Sequence, residues 1–127
     1  MRLMLLALAA VAIAVPGDAR DLNVVPEATL AGKPQSCISI TSIRQSHVRN
    51  DQVIDFEMTG GRVYRNILPN TCPRLGFEQR FAYSTSLSVL CSTDIITVLY
   101  TSPELSSGAS CGLGQFQPVT LAQTRHH

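Results

Sequence analysis

The chain has 127 residues, a length that suits one domain, and 45% of its residues are hydrophobic. Ten Lys and Arg residues against nine Asp and Glu residues leave a formal net charge of +1 at pH 7. A nucleic-acid-binding domain usually carries a clear basic excess, so this balance weighs against that class and we expect no nucleic-acid partner.

The N-terminal segment, residues 1–19, is typical of a signal peptide. A short basic start precedes residues 3–15, an uncharged apolar run. That run is too short to span a bilayer, which takes roughly 20 apolar residues. We expect cleavage after Ala19, with cleavage after Ala14 as the alternative, and a periplasmic or secreted protein with no stable membrane anchor afterwards. An uncleaved anchor is the remaining alternative.

Composition divides the rest of the chain into three parts. Residues 20–36 contain two prolines and a glycine and have no sustained hydrophobic period, so they predict a flexible arm. Residues 37–119 hold the alternating apolar runs and predict a single β-rich domain. Residues 120–127 predict a polar tail.

Four cysteines follow the predicted signal peptide: Cys37, Cys72, Cys91 and Cys111. An even number of cysteines in an exported chain indicates two disulfides. A structural zinc site usually needs closely spaced pairs such as C-x-x-C, and the sequence has none. The cysteines therefore predict a covalently stapled domain with no metal.

Runs that alternate apolar and polar residues predict about six short strands. They cover residues 37–43, 52–58, 62–68, 80–84, 95–100 and 113–119. Two leucines three apart in residues 85–91 predict one helical turn. The fold class is therefore mostly β, a small antiparallel barrel or sandwich that disulfides staple, with at most one short helical turn.

The pair Gly60–Gly61 between two alternating runs is a strong hairpin signal, because both residues take positive φ readily. If these glycines form a two-residue loop, Met58 lies opposite Val63 and apolar residues pair with apolar residues on one face.

Sequence alone permits three pairings of the four cysteines. In an up-and-down meander, the first and third cysteines lie at one end of the strands, and the second and fourth lie at the other. This order favours the disulfides Cys37–Cys91 and Cys72–Cys111.

A candidate binding site lies beside the glycine pair. Arg62, Tyr64 and Arg65 combine cationic and aromatic groups, a set that suits an anionic ligand or a protein partner. Asp55 and Glu57 lie two apart on the neighbouring run, a spacing that places two carboxylates on one strand face, and such a pair can serve as the acid and base of glycoside hydrolysis. The alternative is a solvated ladder of opposite charges across the hairpin.

A catalytic alternative rests on residues 108–112, which match the nucleophile pattern G-x-S-x-G with Ser110 at its centre. His47 is the only histidine outside the C-terminal pair and would have to serve as the base. The pattern works on a strand-to-helix turn, and no helical period follows it here. A glycine-rich turn around a bridged Cys111 is the simpler interpretation.

No motif indicates a cofactor. Residues 112–114 are too short a glycine run for a phosphate-binding loop. The terminal pair His126 and His127 lacks a third ligand, so we expect no metal site.

Several strings resemble a family of small exported proteobacterial proteins whose domain has no known function. They are CISITSIR, GGRVYRNILPNTCPRLG, FAYSTSLSVLCSTDIITV and GASCGLGQFQPV, with the turn and strand of residues 50–56 between the first two. The resemblance covers residues 37–119. It implies a signal peptide and a four-cysteine domain, and it implies no activity and no catalytic residues.

We therefore expect a non-enzymatic periplasmic or secreted accessory or binding domain. Its partner is an unknown protein or an envelope component. The alternatives are a small secreted hydrolase that uses Ser110 and His47, and an inhibitor of a secreted enzyme.

Overall fold

The computed structural model describes residues 25–122. The predicted signal peptide, residues 1–19, and the end of the predicted tail, residues 123–127, lie outside the described residues. Within the described part the protein is mostly β, as predicted, with ten strands where about six are predicted. The strands are β1 Ala28–Leu30, β2 Cys37–Ser39, β3 Ile43–Val48, β4 Val53–Met58, β5 Val63–Ile67, β6 Phe81–Tyr83, β7 Val89–Cys91, β8 Ile95–Tyr100, β9 Ser106–Gly112 and β10 Phe116–Leu121. A 3-10 turn, Ile40–Ser42, follows β2, and one short helix, α1 Leu75–Glu78, follows β5.

The strands form three antiparallel sheets that pack in a sandwich-like arrangement. The largest has the order β1-β10-β5-β4-β3, the second β6-β8-β9, and the third pairs β2 with β7. Side chains from all three sheets meet in one core. Phe56 of β4 lies at its centre, with its ring centroid 5.6 Å from that of Phe116 and 6.2 Å from that of Phe81, both edge to face.

The predicted flexible arm is wrong for the part that the structure describes. Ala28–Leu30 forms β1 and pairs with the end of β10, and Gln35 exchanges backbone hydrogen bonds with Phe116. The arm is ordered because its main-chain groups find hydrogen-bond partners along β10. Thr120 and Leu121, assigned by sequence to the polar tail, belong to β10.

The predicted hairpin forms between β4 and β5, but its register differs by one residue. The Met58 N–H donates to the Arg62 carbonyl at 2.7 Å, so Met58 does not lie opposite Val63. The loop thus has three residues, and its Gly60 and Gly61 adopt φ of +88° and +87°. Both glycines therefore occupy backbone conformations that other residues rarely adopt.

The predicted helical turn at residues 85–91 is also wrong. Val89–Cys91 forms β7 and pairs with β2. Leu90 is fully buried, whereas Leu87 is 66% exposed, so the two leucines do not share one apolar face. Their spacing imitates a helix by chance.

The two predicted disulfides are confirmed. Cys37 and Cys91 lie directly opposite each other on β2 and β7, with Cα atoms 4.0 Å apart. Cys72, fully buried in the loop after β5, bonds to Cys111 of β9 with a Cα separation of 5.9 Å. The second disulfide therefore ties the loop after the five-stranded sheet to the three-stranded sheet.

Candidate functional site

The predicted patch of Arg62, Tyr64 and Arg65 does not form as one surface. Successive side chains of a strand point to opposite faces of the sheet. Tyr64 is only 7% exposed and belongs to the core, while Arg65 lies on the other face and binds Asp55. Only Arg62 is exposed. The prediction treats neighbours in sequence as neighbours on a surface, and the alternation of β5 separates them.

Arg62 and Tyr64 do share a shallow groove of about 460 Å³ beside the glycine loop. The groove opens where the loop turns away from the end of β10, and Thr120 and Leu121 form its opposite wall. Within residues 25–122 the Arg62 side chain makes no ion pair. The groove offers one cationic group, but the burial of Tyr64 leaves little aromatic surface for contact.

Arg65 belongs to a buried charge cluster on the face of the large sheet that points away from the core. Its Nε and Nη2 donate to the two carboxylate oxygens of Asp55 at 2.8 and 2.9 Å, and Arg49 Nε donates to Oδ2 at 2.9 Å. The Asp55 side chain is fully buried. Arg65 Nη2 also donates to the Pro26 carbonyl at 3.0 Å. The cluster thus links β4 and β5 to the residue that follows β3 and to the segment before β1.

The charges of the cluster set the ionisation of Asp55. Burial would raise the pKa of its carboxyl, but the hydrogen bonds and positive charges of Arg65 and Arg49 outweigh that effect and lower the pKa below 3.8. A general acid needs a raised pKa, so this carboxylate is not suited to that role. Glu57, the second acid of the predicted pair, bonds to His47 at 3.1 Å. The cross-strand charge ladder is therefore what forms, and its Asp55 end is buried rather than solvated.

The Ser–His pair of the catalytic alternative is not brought together. Ser110 lies within β9, and its hydroxyl pairs with that of Thr97 at 3.0 Å. His47 lies in β3, in another sheet, and bonds to Glu57. Residues 108–112 form a strand instead of the sharp strand-to-helix turn that exposes a nucleophile. Among residues 25–122, the hydroxyl of Ser110 has Thr97 as its side-chain partner and no histidine beside it.

A different feature, absent from the sequence prediction, stands out in the loop between β5 and β6. We call residues 69–80 the Phe77 loop. The ring of Phe77 is 80% exposed, while Leu75, two residues earlier, is fully buried. The Asp51 carboxylate accepts a hydrogen bond from the Gly76 N–H at 2.7 Å, and Cys72 holds the start of the loop through its disulfide. Three contacts therefore hold the loop in place beside the exposed Phe77: the buried Leu75, the Asp51–Gly76 hydrogen bond and the Cys72 disulfide.

Two residues of the Phe77 loop hold unusual backbone conformations. Arg74 has φ of +68° and Gln79 has φ of +55°, so they bracket α1 with left-handed residues that are not glycine. Each costs about 1–2 kcal/mol, which the surrounding contacts must offset. The Arg74 guanidinium lies 4.1 Å from the ring centroid of Tyr100 and 5.8 Å from that of Phe77. These cation–π contacts fix the arginine beside the exposed ring.

The described residues contain no group of three or more potential metal ligands. None of their helices is long and apolar enough to cross a membrane. The terminal pair His126 and His127, where the sequence predicts no metal site, lies outside the described residues.

No family model, curated protein or solved structure matches the chain. The resemblance to a family of exported four-cysteine proteins therefore stays a prediction.

Proposed function

We propose that this protein is a non-enzymatic binding domain that works in an oxidising compartment and contacts its partner through the Phe77 loop. The observation that supports this proposal is one aromatic ring, 80% exposed, on a loop that a disulfide, a buried leucine and a side-chain hydrogen bond hold in place. Aromatic residues and arginine are enriched at protein interfaces, where a few of them supply most of the binding energy.

The energetics of binding favour such a loop. Association loses affinity when a flexible segment must become ordered. Here Leu75 is buried and Arg74 is stacked on Tyr100 before any partner arrives, so the loop beside Phe77 is ordered in advance and only the Phe77 side chain has rotamer freedom left to lose. Left-handed conformations at Arg74 and Gln79 are a local strain of the kind that concentrates at functional sites.

The compartment follows from covalent chemistry. Disulfides form and persist in the periplasm and outside the cell and are rare in the cytosol. All four cysteines are paired, and a sequence typical of a signal peptide precedes them. These observations support a periplasmic or secreted location.

Site-specific photo-crosslinking in the natural host tests the proposal. A benzophenone amino acid replaces Phe77 in one variant, Arg62 in a second and Leu87, a leucine 66% exposed on another loop, in a control. We expect position 77 to give an adduct with one protein, identified by mass spectrometry, and the control to give none. With that purified protein, Phe77→Ala should raise the dissociation constant about tenfold or more, as expected for an interface hot spot, and Leu87→Ala should leave it unchanged.

An adduct from position 62 alone would move the contact surface to the groove beside the glycine loop. Absence of any adduct at positions 62 and 77 would contradict a binding role for either surface. The inhibitor alternative stays a prediction. An inhibitor would use the same exposed loop, and identification of the crosslinked partner as an enzyme would support it.

A further inference from the structure

Strand β9 leaves one edge without a partner among residues 25–122. It is the last strand of the sheet β6-β8-β9. The Leu113 N–H donates to the Asp94 carbonyl, and Cys111 lies opposite Ile96, so alternate residues of β9 direct their main-chain groups toward β8. By the same alternation, the N–H and C=O groups of Ser110 and Gly112 point away from the sheet.

This edge lacks the features that usually keep sheet edges apart. The segment SSGASCG contains no charged residue and no proline, and its serines are exposed. The other edges of the two larger sheets are blunted: β1 and β6 have three residues each, and β3 carries Arg44 beside a register shift. Short strands, charges and bulges are the common protections of an edge. Strand β9 is seven residues long and carries no charged residue, so it lacks two of these protections. A register shift in its pairing with β8 marks its first half.

Nothing within residues 25–122 requires a glycine at position 112. A Cβ atom added there would meet no atom within 4 Å, and Gly112 is not among the residues with positive φ. Glycine inside a strand weakens it and often marks a place where another backbone approaches closely. The bare backbone at the open edge fits such an approach.

We propose that β9 pairs with β9 of a second copy of this chain. The two strands run antiparallel about a two-fold axis at Cys111, so that Ser110 of each copy lies opposite Gly112 of the other. Each of these two pairs exchanges two backbone hydrogen bonds, and the sheet becomes six-stranded. A second copy is the fitting occupant because a two-fold interface brings the same surface of both copies together, so that surface must complement itself. The small, uncharged side chains of β9 do so without placing like charges opposite each other.

The pairing is weak because it rests on two residues per copy. Standard protein interfaces bury about 1,600 Å², and a short strand pair buries much less. We expect a monomer–dimer equilibrium with a dissociation constant of about 0.1–1 mM.

Sedimentation equilibrium of the oxidised protein tests the proposal at concentrations from about 10 µM to about 2 mM, which bracket the expected dissociation constant. The weight-average mass should rise toward that of a dimer. Ser110→Lys, which places two positive charges across the proposed axis, should keep the protein monomeric. Gln45→Lys makes the same charge change on the edge of β3, where the side chain is also exposed, and should dimerise like the wild type.

Amide shifts in ¹H–¹⁵N spectra of the wild type give a second measurement that does not depend on a variant folding. With rising concentration, the largest changes should fall on Ser110 and Gly112. A monomer at 2 mM, a dimer that Ser110→Lys leaves intact, or shifts confined to another edge would each overturn the proposal.

Discussion

Asn66 and Gly114 form a contact that requires glycine at position 114, because any side chain there would clash with the neighbouring backbone. The amide of Asn66 is fully buried, and both of its ends bond to the Gly114 backbone: Nδ2 donates to the carbonyl at 2.7 Å, and Oδ1 accepts from the N–H at 2.8 Å. A Cβ atom on Gly114 would lie 2.2 Å from the Ile67 carbonyl oxygen. The buried amide is satisfied only because the chain passes this close.

Gly114→Ala should therefore destabilise the protein by about 2–3 kcal/mol, because the backbone of Ile67 must move and the Asn66 bonds must stretch. Urea unfolding measures the loss. Gly112→Ala is the matched control, since its added methyl group meets nothing within 4 Å, and should change the free energy of unfolding by less than about 0.5 kcal/mol. Equal unfolding midpoints for the two variants would refute the close approach.

At the scale of elements, the charge cluster around Asp55 joins neighbouring strands of the large sheet. Arg49, the residue directly after β3, and Arg65 of β5 flank the carboxylate of β4 from both sides. A buried ion pair is weak evidence for stability by itself, because the loss of hydration offsets the attraction. Removal of one charge is a different matter, because the remaining charges stay buried without compensation.

Asp55→Asn should lower the free energy of unfolding near neutral pH by about 3–5 kcal/mol. The pKa of Asp55 is lowered in the folded state, so its contribution is present in full above the unfolded-state pKa, about 3.9, and is lost as pH falls through the lower folded-state value. The wild type should thus lose more stability below about pH 4 than the variant does, and the two should converge. The free energy of unfolding is measured for both proteins from about pH 7 to about pH 2, a range that includes the expected loss. Curves that run parallel would contradict the lowered pKa of Asp55.

The elements that sequence predicts best are those with strong local chemistry. The β-prone run at residues 95–100 forms β8 with the predicted bounds, and the glycine pair makes its hairpin. The one-residue register error arises because the alternation of apolar and polar residues does not show whether Thr59 belongs to β4 or to the loop. In the structure Thr59 belongs to the loop. Strand β9 is rich in serine and glycine, residues of low β-propensity, and exists because it pairs with β8.

The candidate site was less predictable than the fold. Arg62, Tyr64 and Arg65 are adjacent in sequence, but the burial of Tyr64 depends on a core that forms from distant strands. Phe77 lies between Gly76 and Glu78 in a segment without a period, so no local pattern separates an exposed ring from a buried one. Its exposure follows from the contacts of Leu75 and Asp51, which join parts of the chain far apart.

At the scale of the whole molecule, one disulfide staples the two strands of the smallest sheet, and the other joins the loop after β5 to the three-stranded sheet. Cys37–Cys91 closes a separation of 54 residues and Cys72–Cys111 one of 39. Loops of this length contribute about 4 kcal/mol each in the chain-entropy model. The second disulfide also anchors the Phe77 loop to β9, so the proposed contact surface depends on oxidation as much as the fold does.

Peptide mapping under non-reducing conditions, on protein recovered from its natural compartment with free thiols blocked at lysis, tests this account most directly. We predict two linked peptide pairs, one joining Cys37 to Cys91 and one joining Cys72 to Cys111, with no blocked thiol. Four reduced cysteines, or links in either of the other two pairings, would contradict the stapled fold, the oxidising location and the preformed Phe77 loop together.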